Sequence, residues 1–212
     1  MQPFFVTSSG TDIGKTLVTA ALCWQLRRTG RTVTALKPVI SGYDPKDASS
    51  DSATILKSLG ITPTPQLVET ISPWHYGAAQ APAMAAVREG NPVDMERLLA
   101  FCREHAALQS DIVLVEGAGG VMAPLTGRDT MLDWMAALGW PVILVVGSYL
   151  GSISHTLTAF DVLQSRGVPV RALVVSESEH STVALDATAA MLEKFLPAPI
   201  PLVKIPRLYG RD

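Results

Sequence analysis

The segment spanning residues 4–16 constrains the fold of this chain more than any other stretch. It begins with the apolar run Phe-Phe-Val, continues through the small polar turn Thr-Ser-Ser-Gly-Thr-Asp-Ile, and ends in Gly14-Lys15-Thr16, where a helical pattern starts. In such a strand–turn–helix the backbone N–H groups face an anion, the lysine adds positive charge, and the threonine hydroxyl can ligate Mg²⁺. The segment therefore predicts a phosphate-binding loop.

The match to the phosphate-loop pattern is imperfect at one position. The pattern Gly-x-x-x-x-Gly-Lys-Thr requires glycine at Ser9, whereas this chain has it one residue later, at Gly10. A chance Gly-Lys-Thr in an ordinary strand–turn–helix is the alternative. We favour phosphate binding because the strand before the turn and the helix after it lie where that mechanism needs them.

The composition favours a single globular domain and argues against a protein that binds nucleic acid or an anionic membrane. A chain of 212 residues with 48% hydrophobic residues is long enough for one domain with a large core. A net charge of −2 gives no basic surplus for nucleic acid or an anionic membrane. The N-terminus shows no leader pattern, so we expect a cytoplasmic protein. Cys23 and Cys102 lie on apolar helical faces and are predicted to be buried thiols, and the histidines lack zinc-ligand spacing.

Apolar strands alternate with helical patterns along the chain. Strands are predicted at 33–36, 111–115, 142–146, 170–175 and 202–205, and helices at 15–28, 51–59, 81–89, 131–138, 152–166 and 182–196. A further helix is expected to start at Asn91-Pro92, and residues 61–80 to form an ordered excursion at a pocket wall. The pattern predicts an α/β fold of the P-loop NTPase type: a mostly parallel sheet with helices on both faces, forming one domain over residues 1–212.

Three charged residues are predicted at the edge of that sheet where ligands bind, beyond the carboxyl ends of the strands. Lys37 and Glu116 each follow a strand, and Asp51 lies near a helix start. The carboxylates suit Mg²⁺, and the lysine suits an anionic substrate. The alternatives are a solvated lysine, a helix N-cap at Asp51 and an ordinary loop acid at Glu116.

The segment Gly151-Ser152-Ile153-Ser154 opens a helix with free N–H groups and hydroxyls, which suits a carboxylate ligand. Simple helix capping is the alternative. The run after Glu116 is not a dinucleotide fingerprint, because Met122 replaces the last glycine. The chain also lacks a Gly-x-Ser-x-Gly elbow, which argues against hydrolase chemistry of that kind.

Taken together, these blocks resemble the dethiobiotin synthetase family, whose members close the ureido ring in biotin biosynthesis. The most specific blocks are Lys-Pro-Val-Ile-Ser-Gly at 37–42 and Val-Glu-Gly-Ala-Gly-Gly at 115–120. The matching segments span nearly the whole chain in family order: 6–16, 37–42, 50–51, 115–120, 141–147, 150–155 and 205–208.

The resemblance implies a homodimeric cyclo-ligase that converts 7,8-diaminopelargonate (7,8-diaminononanoate), CO₂ and ATP to dethiobiotin, ADP and phosphate, with Mg²⁺ as cofactor. It implies catalytic roles for Lys15 and Lys37. The implied nucleotide-binding residues are Thr11, Asp12, Ile13, Gly14, Lys15, Thr16, Glu116, Pro206, Arg207 and Leu208, and the implied metal ligands are Thr16, Asp51 and Glu116. The implied substrate-binding residues are Lys37, Ser41, Gly119, Gly120 and, from the partner subunit, Gly151, Ser152, Ile153 and Ser154.

The chain departs from the family in the region expected to bind the base. Family members commonly carry Asn-Asp after the late strand, with the Asn reading adenine, where this chain has Ser176-Glu177. The rival hypothesis is a partitioning-type P-loop ATPase, a switch that acts through a protein partner. Such ATPases carry an extra lysine early in the loop, whereas this chain has Ser8 and Ser9 there.

Overall fold

The computed structural model describes residues 2–179, 181–197 and 200–207. The strands are β1 (Gln2–Ser8), β2 (Val33–Leu36), β3 (Val39–Ser41), β4 (Trp74–Tyr76), β5 (Ile112–Glu116), β6 (Val142–Gly147), β7 (Val170–Ser176) and β8 (Leu202–Ile205). The helices are α1 (Lys15–Arg28), α2 (Asp51–Ser58), α3 (Pro65–Ile71), α4 (Pro82–Glu89), α5 (Met95–Ala106), α6 (Met131–Leu138), α7 (Ser152–Ser165) and α8 (Leu185–Phe195).

Six strands form the main sheet, in the order β2-β5-β1-β6-β7-β8, with every neighbouring pair parallel. The central strand β1 is apolar because it is covered on both faces: Phe5 and Val6 are fully buried. Phe5 is in register with Val115 on one side and with Val142 on the other. The predicted α/β fold with a mostly parallel sheet is confirmed, and the strands end together at one edge.

A second, two-stranded parallel sheet lies beside the main one and was not predicted. It pairs β3 with β4, with Val39 opposite Trp74 and Ser41 opposite Tyr76. Residues 61–80, expected only as an ordered excursion, contain α3 and β4. Tyr76 is fully buried and its hydroxyl donates to the Asn91 carbonyl at 2.8 Å. The small sheet fixes the path of the chain directly after Lys37.

Two predicted helix boundaries are wrong. The helix expected to start at Asn91-Pro92 is α5, which begins at Met95, because Asp94 accepts a hydrogen bond from the Arg97 N–H and caps it. The last helix, predicted over 182–196, is the shorter α8. The predicted thiols are confirmed as buried: Cys23 and Cys102 are both free and inaccessible. None of the helices in the described part of the chain has the length and apolar character needed to cross a membrane.

Helix α6 starts with a capping box, which gives a pH-dependent prediction. Asp133 accepts hydrogen bonds from the Thr130 N–H at 2.8 Å and the Thr130 hydroxyl at 2.7 Å, and pairs with Arg166 at 2.7 Å. These contacts, the backbone N–H first, lower the pKa of Asp133 to about 2. We expect Asp133→Ala to lower the free energy of unfolding by about 1 kcal/mol at neutral pH.

The pKa of Asp133 is lower in the folded protein, so its stabilisation is present above the unfolded pKa of about 3.9 and is lost as the pH falls toward the folded value. Urea unfolding at several pH values should show wild type and Asp133→Ala converging below about pH 4. Asp161→Ala, at an exposed position of α7, serves as the control. A stability difference that stays constant down to about pH 2 would contradict this account.

Candidate active site

The loop between β1 and α1 has the backbone of an anion-binding turn. Gly14 has a φ of 96° and Asp12 a φ of 55°, so the chain turns through the left-handed region twice before the helix. None of the described side chains caps the start of α1. The first N–H groups of α1 are therefore available to an anion, and the positive end of the helix dipole faces the same point.

The glycine run after β5 packs directly against this loop. The Ser8 hydroxyl donates to the Gly119 carbonyl at 3.1 Å, and the Val121 N–H donates to the Ser8 carbonyl at 3.0 Å. A Cβ at Gly120 would lie 3.1 Å from the backbone nitrogen of Gly10 and 3.2 Å from its Cα. The absence of a side chain at Gly120 allows the two loops to approach this closely.

We expect Gly120→Ala to weaken nucleotide binding by roughly tenfold, because the added methyl group displaces the phosphate loop by a few tenths of an ångström. Isothermal titration calorimetry with MgATP would measure the change. Gly127→Ala is the matched control, since a Cβ at Gly127 has no described atom within 4 Å and the φ there is not positive. Unchanged affinity in Gly120→Ala would show that the loops are free to separate.

A compact charge cluster lies beside the loop. The Lys37 ammonium is 2.6 Å from Glu116 Oε1 and 2.9 Å from Asp51 Oδ2, and it donates to the Gly117 carbonyl at 3.0 Å. The Thr16 hydroxyl is 2.8 Å from both Asp51 Oδ1 and Glu116 Oε1. The structure thus brings four distant residues together. The two that are farthest apart in the sequence, Thr16 in α1 and Glu116 in β5, are separated by 100 positions.

The structure does not support the alternatives of a solvated Lys37, an N-cap at Asp51 and an ordinary loop acid at Glu116. Lys37 is only 3% exposed and Glu116 is fully buried, so neither is a solvated surface charge. The N-cap of α2 is Ser50, whose hydroxyl accepts from the Ala53 N–H, and not Asp51. Asp51 is instead the first residue of α2, and its carboxylate points to Lys37 and Thr16.

The electrostatics of the cluster follow from burial and charge. Burial opposes the charged form of Lys37, but the carboxylates of Glu116 and Asp51 outweigh it and raise the pKa of the ammonium. Burial likewise disfavours ionised Asp51, but Lys37 outweighs it and lowers the pKa of the carboxyl. Lys15 has no such direct partner: burial and then the nearby Lys37 charge lower its pKa to about 8. Lys37 therefore stays charged as a member of a paired cluster.

Lys15 is held at the loop by weak contacts. Its ammonium donates to the Ser8 hydroxyl at 3.1 Å and to the Gly10 carbonyl at 3.4 Å. Sequence reasoning missed Ser8 as a functional position. A hydroxyl at the last residue of a strand that enters a phosphate loop is the signal that points to it. Its contacts position Lys15 and the Gly119 carbonyl around the same turn.

The residues of the cluster fit a divalent cation. Glu116 Oε2 is buried without a hydrogen-bond partner among the described residues, and an orphaned carboxylate oxygen of this kind is suited to a metal. Within the described ranges, no group of three or more His, Cys, Asp or Glu side chains forms a metal cluster. The available donors are thus two carboxylates and the Thr16 hydroxyl, which is the sparse protein donor set that Mg²⁺ accepts.

A cavity of about 390 Å³ opens in front of the loop and the cluster. The predicted residues that line it are Thr11, Asp12, Ile13, Gly14, Lys15, Thr16, Lys37, Ser41, Asp51 and Gly119. Ile40 and Ala118 complete the lining and were not predicted. Gly120 lines a neighbouring, more apolar cavity of about 400 Å³, which also includes Ser9 and Met122.

The start of α7 does not contribute to the cavity of its own chain. Gly151 has a φ of 96°, and none of the described side chains caps α7, so the simple capping alternative is not what the structure shows. Gly151 and Ser154 are exposed, whereas Ser152 is buried with its hydroxyl oxygen unpaired among the described residues. The Ser152 N–H donates to the Tyr149 carbonyl at 2.9 Å, whereas the N–H groups of Ile153 and Ser154 have no partner among the described residues and are open to an external anion.

A second cavity of about 280 Å³ adjoins the first, and the two share Asp12, Ile13 and Gly14 in their linings. It lies between the ends of β7 and β8, and it includes the predicted residues Pro206 and Arg207. Leu208, predicted with them, lies outside the described residues. The two cavities therefore form one continuous depression around the phosphate loop.

Comparison with known proteins decides the family. A family described as "AAA domain" matches residues 2–209. The ATP-dependent dethiobiotin synthetase of Methylobacterium nodulans is 47% identical over 200 residues, covering 92% of this chain and 89% of the relative. That of Acidiphilium cryptum is 42% identical over 207 residues, covering 97% and 93%. This chain belongs to the dethiobiotin synthetase family.

Solved structures of other proteins share the fold of this dethiobiotin synthetase family member. The septum site-determining protein MinD of Pyrococcus horikoshii, complexed with Mg-ADP, matches with a TM-score of 0.57 at 18% identity, covering 97% of this chain and 81% of that chain. The signal recognition particle receptor FtsY of Elizabethkingia anophelis matches with a TM-score of 0.54 at 13% identity, over 99% of this chain and 59% of that chain. At such low identity these similarities show the fold alone. The partitioning-type hypothesis is not favoured, since the sequence relatives are dethiobiotin synthetases.

Proposed function

We propose that this protein is an ATP-dependent dethiobiotin synthetase, a cyclo-ligase that joins 7,8-diaminopelargonate and CO₂ to give dethiobiotin, ADP and phosphate. The observation that carries the proposal is the identity of 47% over 92% of the chain to a dethiobiotin synthetase. The site supports the same activity, since a buried, paired lysine and a phosphate-loop lysine line one cavity.

The reaction proceeds through two intermediates, a carbamate and the activated anhydride formed from it. One amine of the substrate attacks CO₂ and loses a proton to give a carbamate. A carbamate oxygen then attacks the γ-phosphorus of ATP, which breaks the bond to ADP and forms a carbamic–phosphoric anhydride. The second amine attacks the carbonyl carbon of the anhydride, expels phosphate and loses a proton, which closes the five-membered ureido ring.

The two lysines lower the main barrier to this reaction, which is the electrostatic repulsion between an anionic carbamate and a polyanionic triphosphate. Lys15 contacts the transferred phosphoryl group together with the N–H groups of residues 11–16. Lys37, which lines the same cavity, binds the carbamate oxygen and offsets its charge as the two anions meet. Preorganised cations of this kind stabilise the transition state more than the separated reactants, because charge concentrates between them there.

We propose that Thr16, Asp51 and Glu116 hold the Mg²⁺ that accompanies ATP. The unpaired, buried Glu116 Oε2 supports this assignment. When bound, Mg²⁺ supplies positive charge that neutralises the phosphate oxygens. Ser41, Gly119 and Gly120 are assigned to the substrate wall, and Pro206, Arg207 and Leu208 to the nucleotide base and ribose.

We further propose that the enzyme is a cytoplasmic homodimer in which residues 1–212 form one domain. The N-terminus of α7 does not line the cavity of its own chain, and the unpaired N–H groups of Ile153 and Ser154 suit a carboxylate. In the dimer, Gly151, Ser152, Ile153 and Ser154 of one protomer bind the substrate carboxylate in the other protomer's site.

Purified protein incubated with 7,8-diaminopelargonate, ¹³C-bicarbonate and MgATP tests the function. We expect dethiobiotin labelled in the ureido carbon, detected by mass spectrometry, with one phosphate released per product. Omitting the diamine should abolish phosphate release. A partitioning-type ATPase would instead hydrolyse ATP without the diamine, and absence of labelled product at high enzyme concentration would reject the synthetase.

A further inference from the structure

The cavity between β7 and β8 has an unusual set of polar groups for recognising a nucleotide base. Its described lining contains the hydroxyls of Ser176 and Ser178, the carboxylates of Asp12 and Glu177 and the Arg207 guanidinium, and no side-chain amide. An amide offers a donor and an acceptor side by side and is suited to the adenine edge, whereas a carboxylate only accepts. The hydrogen bonds that this lining can make to a base therefore differ from those that a side-chain amide would make.

Most of these polar groups already have partners. The Ser178 hydroxyl accepts from the Ser148 N–H at 3.1 Å. The Arg207 guanidinium is 2.8 Å from Glu179. The Ser176 hydroxyl lies against the phosphate loop, 2.8 Å from where a Gly14 Cβ would be. Asp12 also lines the phosphate-side cavity, so Glu177 is the carboxylate that belongs to this cavity alone.

Glu177 is fixed in place but not saturated. Its backbone N–H donates to the Ile205 carbonyl at 2.9 Å, which continues the β7–β8 pairing. One carboxylate oxygen, Oε2, accepts from the Arg207 N–H at 2.8 Å. A carboxylate has about four lone-pair sites on its two oxygens. The anchored carboxylate thus retains acceptor sites at the cavity wall.

We propose that Glu177 is the base-specificity residue of the nucleotide site, and that it accepts a hydrogen bond from an exocyclic amino group of the base. This inference rests on the proposed function only in taking the triphosphate to occupy the phosphate loop. The amino groups are N6 of adenine, N4 of cytosine and N2 of guanine. Uracil presents carbonyl oxygens on both sides of its single N–H, and these repel a carboxylate.

The pocket therefore distinguishes bases by the presence of an amino group more than by ring size. The clearest pair is CTP and UTP, which have the same size and differ at this edge. A second pair is ATP and purine riboside triphosphate, which differ only in the 6-amino group. A hydrogen bond to a charged acceptor should favour the amino-bearing member of each pair by roughly tenfold or more.

Equilibrium binding of the four magnesium nucleotides, measured by isothermal titration calorimetry, tests the proposal without requiring turnover. Wild type should bind CTP roughly tenfold more tightly than UTP, and ATP more tightly than purine riboside triphosphate by a similar factor. Glu177→Gln keeps an acceptor for the Arg207 N–H and gains a donor that suits the uracil O4. The preference for CTP over UTP should therefore fall by roughly fivefold or more in this variant.

Glu193→Gln, which makes the same charge change at an exposed position of α8, is the control and should keep the wild-type ratio. Equal binding of CTP and UTP by wild type would overturn the proposal, as would a CTP preference that Glu177→Gln leaves intact. The ring-closure assay tests the proposed function separately. Base-selective binding without dethiobiotin formation would reject that function and uphold the role of Glu177.

Discussion

Lys37→Ala is expected to lower the rate of dethiobiotin formation by roughly 10²–10³-fold or more, because it removes a preorganised cation from the point where two anions meet. Lys37 is 3% exposed and its ammonium lies 2.6 Å from Glu116, so water cannot readily substitute for it. Initial rates with saturating diamine, bicarbonate and MgATP would measure the loss. Lys46→Ala, at an exposed position, should retain the wild-type rate.

The same change should also cost stability, and this must be separated from catalysis. Removing one partner of a buried ion pair leaves an uncompensated charge, at a cost of about 3–5 kcal/mol. Circular dichroism should show folded protein at the assay temperature, and MgATP binding should persist through Lys15 and the loop. A folded, nucleotide-binding Lys37→Ala variant with an unchanged rate would remove Lys37 from the mechanism.

Glu116→Gln is expected to lower turnover by a comparable factor, roughly 10²–10³-fold, and to raise the Mg²⁺ concentration needed for half-maximal activity. The substitution keeps the shape of the side chain and an acceptor for Thr16, but it removes the buried negative charge that faces both the cation site and Lys37. Rates measured across a Mg²⁺ titration at fixed ATP would separate the two effects.

Glu96→Gln supplies the matched control for this second prediction, since Glu96 is exposed on α5, remote from the cavity lining. It should leave both the maximal rate and the Mg²⁺ dependence unchanged. Wild-type Mg²⁺ dependence in Glu116→Gln would rule out Glu116 as a ligand. Normal turnover at every Mg²⁺ concentration would also show that Glu116 is not needed to position Lys37.

Much of the main sheet was predictable because its strands are buried on both faces. Stretches such as Ile-Val-Leu-Val before Glu116 have no reason to be apolar throughout unless helices cover both sides. The meeting of Thr16, Lys37 and Glu116 follows from this sheet, since parallel strands deliver their carboxyl ends to one edge. The sequence therefore predicted both the architecture and the neighbourhood of the charged residues.

Local alternatives were harder to separate from sequence. Asn91-Pro92 and Asp94 are both acceptable helix starts, and only packing decides that Asp94 caps α5. Ser50 and Asp51 are likewise both good N-caps, so only the structure shows that Ser50 caps α2 and that the Asp51 carboxylate pairs with Lys37. The pairing of β3 with β4 joins residues more than 30 positions apart in a segment rich in proline, where three-residue strands leave little periodic signal.

The small β3–β4 sheet contributes Ile40 and Ser41 to the cavity and packs into the same hydrophobic core as the main sheet. Lys37 is the junction: its N–H donates to the Ile71 carbonyl at 3.1 Å, while its ammonium joins Glu116 of the main sheet. Substitutions at the buried positions of residues 65–76 therefore act on the wall that carries Ser41 and on the shared core together. Lys37 thus ties the segment that ends in β4 to the charged cluster, so a shift of that segment is transmitted to the ammonium.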